Sequence, residues 1–209
     1  MSQDPLQDFE AARQRLAAKG LLEDGDSLSC RLPASRQMLL FTQDHQQPAP
    51  PRCVPLDAPD EAALAAGRIY STRPDVGAIL FARLHWSGAL SNAGQCMPGV
   101  FDEQLRHLGA KVRRLADGVD DKALSDGANA YGLPDGVLSL GMNIERLIFN
   151  VELLEKCAMA YTLALTSGRE VRRIPWLVRR IATGRLRRDQ RDAAAHHARG
   201  EFAPRKAGY

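Results

Sequence analysis

The 209-residue sequence has no long hydrophobic run, few aromatic residues (6%) and no paired cysteine motif. No apolar stretch approaches the roughly 18 residues that a membrane-spanning helix needs. The N-terminal residues, Met1-Ser2-Gln3-Asp4-Pro5, are too polar and acidic for a secretory signal. The cysteines form no Cys-x-x-Cys pair, and none lies within ligand spacing of a histidine. They are Cys30, Cys53, Cys96 and Cys157. We therefore expect reduced, mostly buried thiols in a cytoplasmic protein with no membrane partner.

Positive charge is unevenly distributed along the chain. The formal net charge is +3, but the residues from 169 onward contain 12 Lys/Arg and 4 Asp/Glu, which leaves the rest of the chain acidic. This basic tail could be an arm that binds anions or nucleic acid. It could also be a C-terminal helical segment that packs on its own or a neighbouring subunit. The sparse aromatic content and the absence of a nucleic-acid-binding motif favour the second interpretation. We predict a domain over residues 1–168 followed by this segment over 169–209.

Hydrophobic periodicity predicts an α/β domain. Helical spacing occurs over residues 6–19, 58–72, 87–95, 101–108, 121–131 and 143–166. Alternating or continuous apolar residues predict strands over 27–32, 38–42, 52–56, 111–115 and 136–140. The apolar run that begins at Val76 predicts a central strand, which ends in a polar corner around His85. The order of these elements favours one mixed sheet with helices on both faces.

Several short motifs, taken together in their order and spacing, resemble the class II aldolase/adducin family. The motifs are Gly25-Asp26-Ser27-Leu28-Ser29-Cys30-Arg31, Trp86-Ser87-Gly88-Ala89-Leu90, Leu108-Gly109-Ala110-Lys111-Val112, and the segments 68–78, 133–141 and 152–158. The resemblance covers about residues 8–168. It implies a three-layer α/β/α fold whose central sheet is mixed and largely antiparallel. It also implies a homo-oligomer, specifically a homotetramer, because the family assembles its pockets between neighbouring subunits.

The resemblance implies a site for zinc or another divalent metal, but the implied ligands are replaced in this chain. Family enzymes place a His-x-His pair at the end of the central strand and a third histidine before a later strand. Those positions fall on Phe81, Arg83 and Asp135, and the family's acid/base glutamate falls on Ala62. Phe81 cannot ligate a metal, and Arg83 is a permanent cation that would repel one. We therefore expect no metal and no other cofactor.

Two other residues could substitute for the replaced groups. His85 lies two residues beyond Arg83, so a regular strand would place both on one face. A displaced metal site of His85 with His45 or His107 is one interpretation, and a packed or surface histidine is the other. Glu61 is one residue from the acid/base position. It is either that glutamate, if the register shifts by one, or an acidic residue favoured by the helix dipole.

The replacement of a metal ligand by Arg83 leaves three interpretations. Arg83 could form a salt bridge with Asp135 where the metal would lie. It could instead bind an anionic small molecule, or it could extend into solvent. Ser27 stands where the family's phosphate-binding motif has an asparagine, and Asp26 stands where that motif has a glycine.

The sequence leaves two classes of function open. The first is a protein that retains the fold but has lost metal-dependent aldolase chemistry and acts in anionic small-molecule binding or as an oligomeric structural protein. The second is a lyase that acts on a small oxygenated substrate through a relocated or metal-free site. Candidate catalytic residues are Glu61, His85 and Asp135, and candidate ligand-binding residues are Arg83, His85, Ser27 and Asp135. The joint loss of the implied metal ligands and glutamate favours the first class, which is not an enzyme.

Overall fold

A single eight-stranded sheet organises the computed structural model, which describes residues 4–116, 118–168 and 170–205. The strands are β1 (Ser27–Leu32), β2 (Gln37–Thr42), β3 (Arg52–Pro55), β4 (Ala78–Ala82), β5 (Met97–Pro98), β6 (Lys111–Arg114), β7 (Ala130–Leu133) and β8 (Gly136–Gly141). The helices are α1 (Pro5–Ala18), α2 (Leu64–Thr72), α3 (His85–Asn92), α4 (Asp102–His107), α5 (Ile144–Thr166) and α6 (Trp176–Ala198). None of the helices in this described part of the chain is long and apolar enough to cross a membrane.

The strand order across the sheet is β3-β2-β1-β4-β8-β7-β6-β5. Every neighbouring pair is antiparallel except β6 and β7, which are parallel. Strand β4 lies in the interior of the sheet, with β1 on one side and β8 on the other. The prediction of a mixed, largely antiparallel sheet is confirmed.

The two faces of β4 enter two separate apolar cores, because successive strand residues point to opposite faces. Ala78, Leu80 and Ala82 pack into a core built with α1, α3 and α5. Ile79 and Phe81 face a second core on the other side of the sheet, to which α2 contributes. Helices therefore cover both faces of the sheet, as the periodicity predicted.

Helix α6 packs on the same chain through its second half. Leu186 and Ala193 form a small apolar cluster with Met142 and Ala203. The Gln190 amide donates to the backbone carbonyl of Gly127 at 2.8 Å. The first turns of α6 are different, because they leave four large apolar side chains exposed. These are Trp176, Leu177, Val178 and Ile181.

The predicted helix over residues 121–131 is wrong. A 3-10 turn at Ala123–Asp126 replaces most of it, and Gly127 ends this turn in the left-handed conformation (φ 72°). The following residues form β7, where Tyr131 pairs with Leu138 of β8 and is fully buried. Pairing along β8 therefore outweighs local helical spacing. Strand β5 was not predicted, since two residues carry no periodicity.

A close approach between β8 and α5 yields a test of the fold. A Cβ added at Gly141 would lie 2.3 Å from the backbone nitrogen of Leu147. We expect Gly141→Ala to lower the free energy of unfolding by about 2–3 kcal/mol, because backbone must move to admit the methyl group. Urea denaturation measures this change.

Gly184→Ala is the matched control. Gly184 is exposed in α6, and an added Cβ there meets nothing within 4 Å. Alanine should be neutral or stabilising by about 0.5–1 kcal/mol in a helix interior. Equal effects of the two substitutions would contradict the described packing of β8 on α5.

Candidate functional site

The end of β4 lies beside the turn that precedes β1. Because Ser27 is paired with Phe81, the antiparallel register brings the residues before Ser27 next to those after Phe81. A Cβ added at Gly25 would lie 3.0 Å from an amine of Arg83. The chain then turns directly into α3, whose first residue is His85.

Asp26 and Arg83 form the polar centre of this corner. Asp26 is 2% exposed, and its carboxylate accepts the backbone N–H of Glu23 at 2.7 Å and that of Arg83 at 3.0 Å. The Arg83 Nε atom is 3.8 Å from the same carboxylate, and its Nη2 amine donates to the backbone carbonyl of Asp24. Burial raises the pKa of Asp26, which these two N–H donors and the Arg83 charge oppose. The two residues thus join the turn to the strand end.

The loop after β2 closes the other side of the same turn. The Asp24 carboxylate accepts the backbone N–H of His45 at 2.8 Å and lies 2.6 Å from its Nδ1 atom. The backbone N–H of Gln43 donates to the Asp26 carbonyl, and that of Gly25 donates to the Gln43 carbonyl, both at 2.8 Å. The side chain of Gln43 is buried, and its Oε1 atom accepts no hydrogen bond from the described residues. The turn that Arg83 contacts therefore carries two acidic residues, Asp24 and Asp26.

The salt bridge considered between Arg83 and Asp135 is absent among the described residues. Asp135 is exposed in the turn between β7 and β8. Arg83 contacts Asp24 and Asp26 instead, because the pairing of β1 with β4 directs it toward their turn. Asp135 still lies at this end of the sheet, since a Cβ at Gly136 would be 3.4 Å from the Arg83 side chain.

The three histidines considered for a displaced metal site have separate environments. His85 is exposed and packs its ring edge-on against Trp86 at 5.0 Å. His45 is bound to Asp24, as described above. His107 is buried in α4, where its Nδ1 atom lies 3.1 Å from Arg146. Burial and the charge of Arg146 lower the pKa of His107 to about 4, so it is neutral near pH 7.

Glu61 is the first residue of the 3-10 turn Glu61–Ala63 that precedes α2. Its side chain is exposed, as is Ala62 at the implied acid/base position. The neighbouring Asp60 caps this turn by accepting the backbone N–H of Ala63 at 3.1 Å. Helix α2 leads through a short connection into β4, so its N-terminal end lies toward the same end of the sheet as Arg83. Ser27, half-buried, is the first residue of β1.

Glu155 is an important residue of this corner for which the sequence analysis gave no role. Its carboxylate accepts the backbone N–H groups of Trp86 and Ser87 at 2.9 and 2.8 Å, and the Ser87 hydroxyl at 2.5 Å. A carboxylate from α5 therefore stabilises the first turn of α3, where peptide N–H groups have no partner within the helix. Glu155 lies in the segment 152–158, which is one of the motifs that carry the family resemblance, and this was the available signal for its role.

The side chains at the three implied metal-ligand positions do not fit a zinc site. Phe81 has no donor atom and packs into the second core. The Arg83 guanidinium offers only hydrogen-bond donors and a positive charge. Within residues 4–116, 118–168 and 170–205, no group of three His, Cys, Asp or Glu side chains is placed to hold a metal ion.

Solved structures share this arrangement of strands and helices. An L-fuculose 1-phosphate aldolase matches with a TM-score of 0.77 at 20% identity, over 90% of this chain and 98% of that chain. The chain has the class II aldolase fold. Another L-fuculose 1-phosphate aldolase, from Glaciozyma antarctica PI12, matches with a TM-score of 0.70 at 16% identity, over 96% of this chain and 92% of that one.

An aldolase II superfamily protein from Pseudomonas syringae matches this class II aldolase fold over 98% of both chains, with a TM-score of 0.66 at 15% identity. No protein-family profile matches the sequence, and no curated protein matches it. Sequence identities of 15–20% support a shared fold and nothing further, and the predicted fold is confirmed. The chemistry of the chain must therefore be argued from its own residues.

The contact between Arg83 and Asp26 yields a test of the site. We expect Arg83→Gln to raise the pKa of Asp26 further, because the nearby cation is lost while the carboxylate stays buried. The free energy of unfolding should fall by about 1 kcal/mol at pH 7, a small value because the Arg83 side chain is 60% exposed. NMR titration of the carboxyl and urea denaturation measure the two effects.

The loss of stability in Arg83→Gln should depend on pH, because it acts through the ionised form of Asp26. A raised pKa means that the folded state holds the proton more tightly, so ionisation of Asp26 costs stability as the pH rises. The difference between variant and wild type should therefore shrink below about pH 3.9, where the carboxyl is protonated in both folded and unfolded chains. Arg180→Gln removes the same charge from the exposed surface of α6. If Arg180→Gln lost as much stability, the effect of Arg83→Gln would come from the change in net charge and not from the contact with Asp26.

Proposed function

We propose that this chain is a class II aldolase-fold protein that has lost metal-dependent aldolase chemistry and acts as a binding or structural protein. The observation that supports this most is the position of Arg83. The resemblance implies a metal ligand there, and the guanidinium instead donates to the Asp24 carbonyl beside the buried Asp26 carboxylate. The Arg83 side chain thus joins the end of β4 to the turn before β1, from a position where the resemblance implies a metal ligand.

The same contacts argue against strong anion binding by Arg83. Its charge is opposed by Asp26, and the carboxylate of Asp24 lies on the same turn. An anionic ligand at this corner would meet both acidic groups, which lowers its affinity. The role we assign to Arg83 is therefore to hold the turn against the strand.

Metal content is the decisive experiment. We expect the purified protein, expressed with added zinc, manganese and iron, to contain less than about 0.1 metal ion per chain by elemental analysis. Phe81 and Arg83 supply no ligand atom for a divalent ion, which is the physical reason. Stoichiometric metal that survives dialysis would overturn the proposal.

A gain-of-binding variant tests the positions themselves. Phe81→His, Arg83→His and Asp135→His, combined in one chain, should create a zinc site detectable by calorimetry if the three positions converge as the fold implies. Asp135→His alone should not. Binding by the single variant, or by wild type, would contradict the assignment of these positions.

Assembly into a homotetramer is the second part of the proposal and follows from the resemblance. The exposed apolar side chains at the start of α6 supply a surface that a neighbouring subunit could cover. Sedimentation analysis should give a mass about four times the 22.9 kDa of the chain. A monomer at all concentrations would contradict the proposed tetramer. It would not affect the proposal that Arg83 holds the turn against the strand.

The alternative function is a lyase acting on a small oxygenated substrate without the family metal. His85 and Asp135 are exposed at the same end of the sheet, so both are accessible to a substrate. Carbon–carbon cleavage of a sugar phosphate or hydroxy acid by the wild type, lost in His85→Gln or Asp135→Asn, would favour this function. Turnover that persists in both variants would point to a contaminating enzyme.

A further inference from the structure

A cavity of about 600 Å³ opens at the opposite end of the sheet from Arg83. It lies between the β1–β2 turn, the end of α2 and the end of α6. Its charged and polar lining includes Arg31, Arg36, Ser71, His197, Arg199 and Asp57. Arg31 is four residues along β1 from Ser27, so the strand alone separates this cavity from the corner described above by roughly 13 Å.

Arg31 is held in this cavity by backbone carbonyls, and the charge of Asp75 acts on it from beyond ion-pair distance. Its Nε atom donates to the Val76 carbonyl at 2.9 Å, and its Nη2 amine donates to the Tyr70 carbonyl at 2.7 Å. The guanidinium also lies over the Tyr70 ring at 4.8 Å. In the described part of the chain, no acidic side chain forms an ion pair with Arg31, and its Nη1 amine makes no hydrogen bond. The guanidinium is therefore fixed in orientation, and both N–H groups of Nη1 are left for a ligand.

Arg36 lies in the tight turn between β1 and β2 in a conformation that favours glycine. Its φ of 54° is the only positive value at a non-glycine position among residues 4–116, 118–168 and 170–205. Arginine at such a position costs stability that glycine would not. The side chain is exposed and forms no ion pair with any described residue. A strained backbone position that carries a charged side chain is common at binding sites.

The remaining charges do not neutralise these two arginines. Arg199 is paired with Glu201 at 3.0 Å. Asp57, which is exposed, is the one acidic residue of the described lining. The C-terminal ends of α2 and α6 also face this region, and their carbonyls favour cations. The Tyr70 carbonyl at the end of α2 is already bound by Nη2 of Arg31. The Nη1 N–H groups of Arg31 and the guanidinium of Arg36 remain available to a ligand.

We propose that this cavity binds the oxyanion group of a small metabolite, either a phosphate monoester or a carboxylate, with Arg31 and Arg36 as the principal donors. Guanidinium groups match both oxyanions through paired N–H donors. Arg31 supplies preoriented N–H donors from the lining of the cavity, and the exposed Arg36 supplies a second cation. The proposal does not depend on the role of Arg83, because the two sites share no residue.

Calorimetric titration of the full chain with inorganic phosphate tests the site. We expect saturable binding of one phosphate per chain. Arg36→Gly should weaken it at least about tenfold, which corresponds to loss of one charged contact. The same variant should melt at an equal or higher temperature, since glycine accepts the left-handed conformation. A folded protein with lost binding separates a ligand contact from a folding defect.

Arg172→Gln is the matched control, because Arg172 is exposed elsewhere and its loss changes the net charge equally. Its phosphate affinity should equal that of wild type. Malonate identifies the ligand class: competition with phosphate shows that the site accepts carboxylates, and its failure to compete assigns the site to phosphate. Equal weakening in Arg36→Gly and Arg172→Gln, or no saturable binding of either anion up to about 10 mM, would overturn the proposal.

Discussion

The antiparallel register of β4 against β1 is the constraint on which the candidate site depends. With Ser27 opposite Phe81, the turn before β1 must meet the residues that follow β4. Two groups that the sequence separates by more than fifty residues, Asp26 and Arg83, are thereby brought into one corner. Because Asp26 is buried, its charge needs donors, and the register supplies them from the Arg83 backbone and side chain.

The fold could be predicted from the sequence to the extent that apolar periodicity survives in each element. Helix α5 begins after its Asn143 cap and ends at Thr166, as its long apolar stripe indicated. The segment around β7 could not be predicted in this way, since its strand character comes from pairing with β8 and from burial of Tyr131. Local sequence indicates a strand only weakly when the strand forms through pairing with a distant segment.

The candidate site was less accessible from sequence than the fold. Comparison with the family motifs showed that Asp26 replaces a glycine and that Arg83 replaces a histidine. The two replacements were considered separately. Their contact was missed because it requires the strand register, which single positions do not specify. One signal was available: an acidic residue gained in the turn and a basic residue gained at the strand end are complementary in charge. Paired departures of opposite sign on neighbouring strands therefore indicate contact better than either does alone.

Arg83 and Arg31 show why residue type alone does not decide function. Arg83 lies at a strand end where a ligand is expected from the fold, yet carboxylates on its own chain oppose its charge. Arg31 lies at the other end of the sheet and is bound by two backbone carbonyls, which orient the guanidinium without neutralising it. A carbonyl is a dipole and a carboxylate is an ion, so only the second cancels the long-range field of a cation. Of the two arginines, Arg83 has a carboxylate within 4 Å, whereas the charge of Asp75 acts on Arg31 only from beyond that distance.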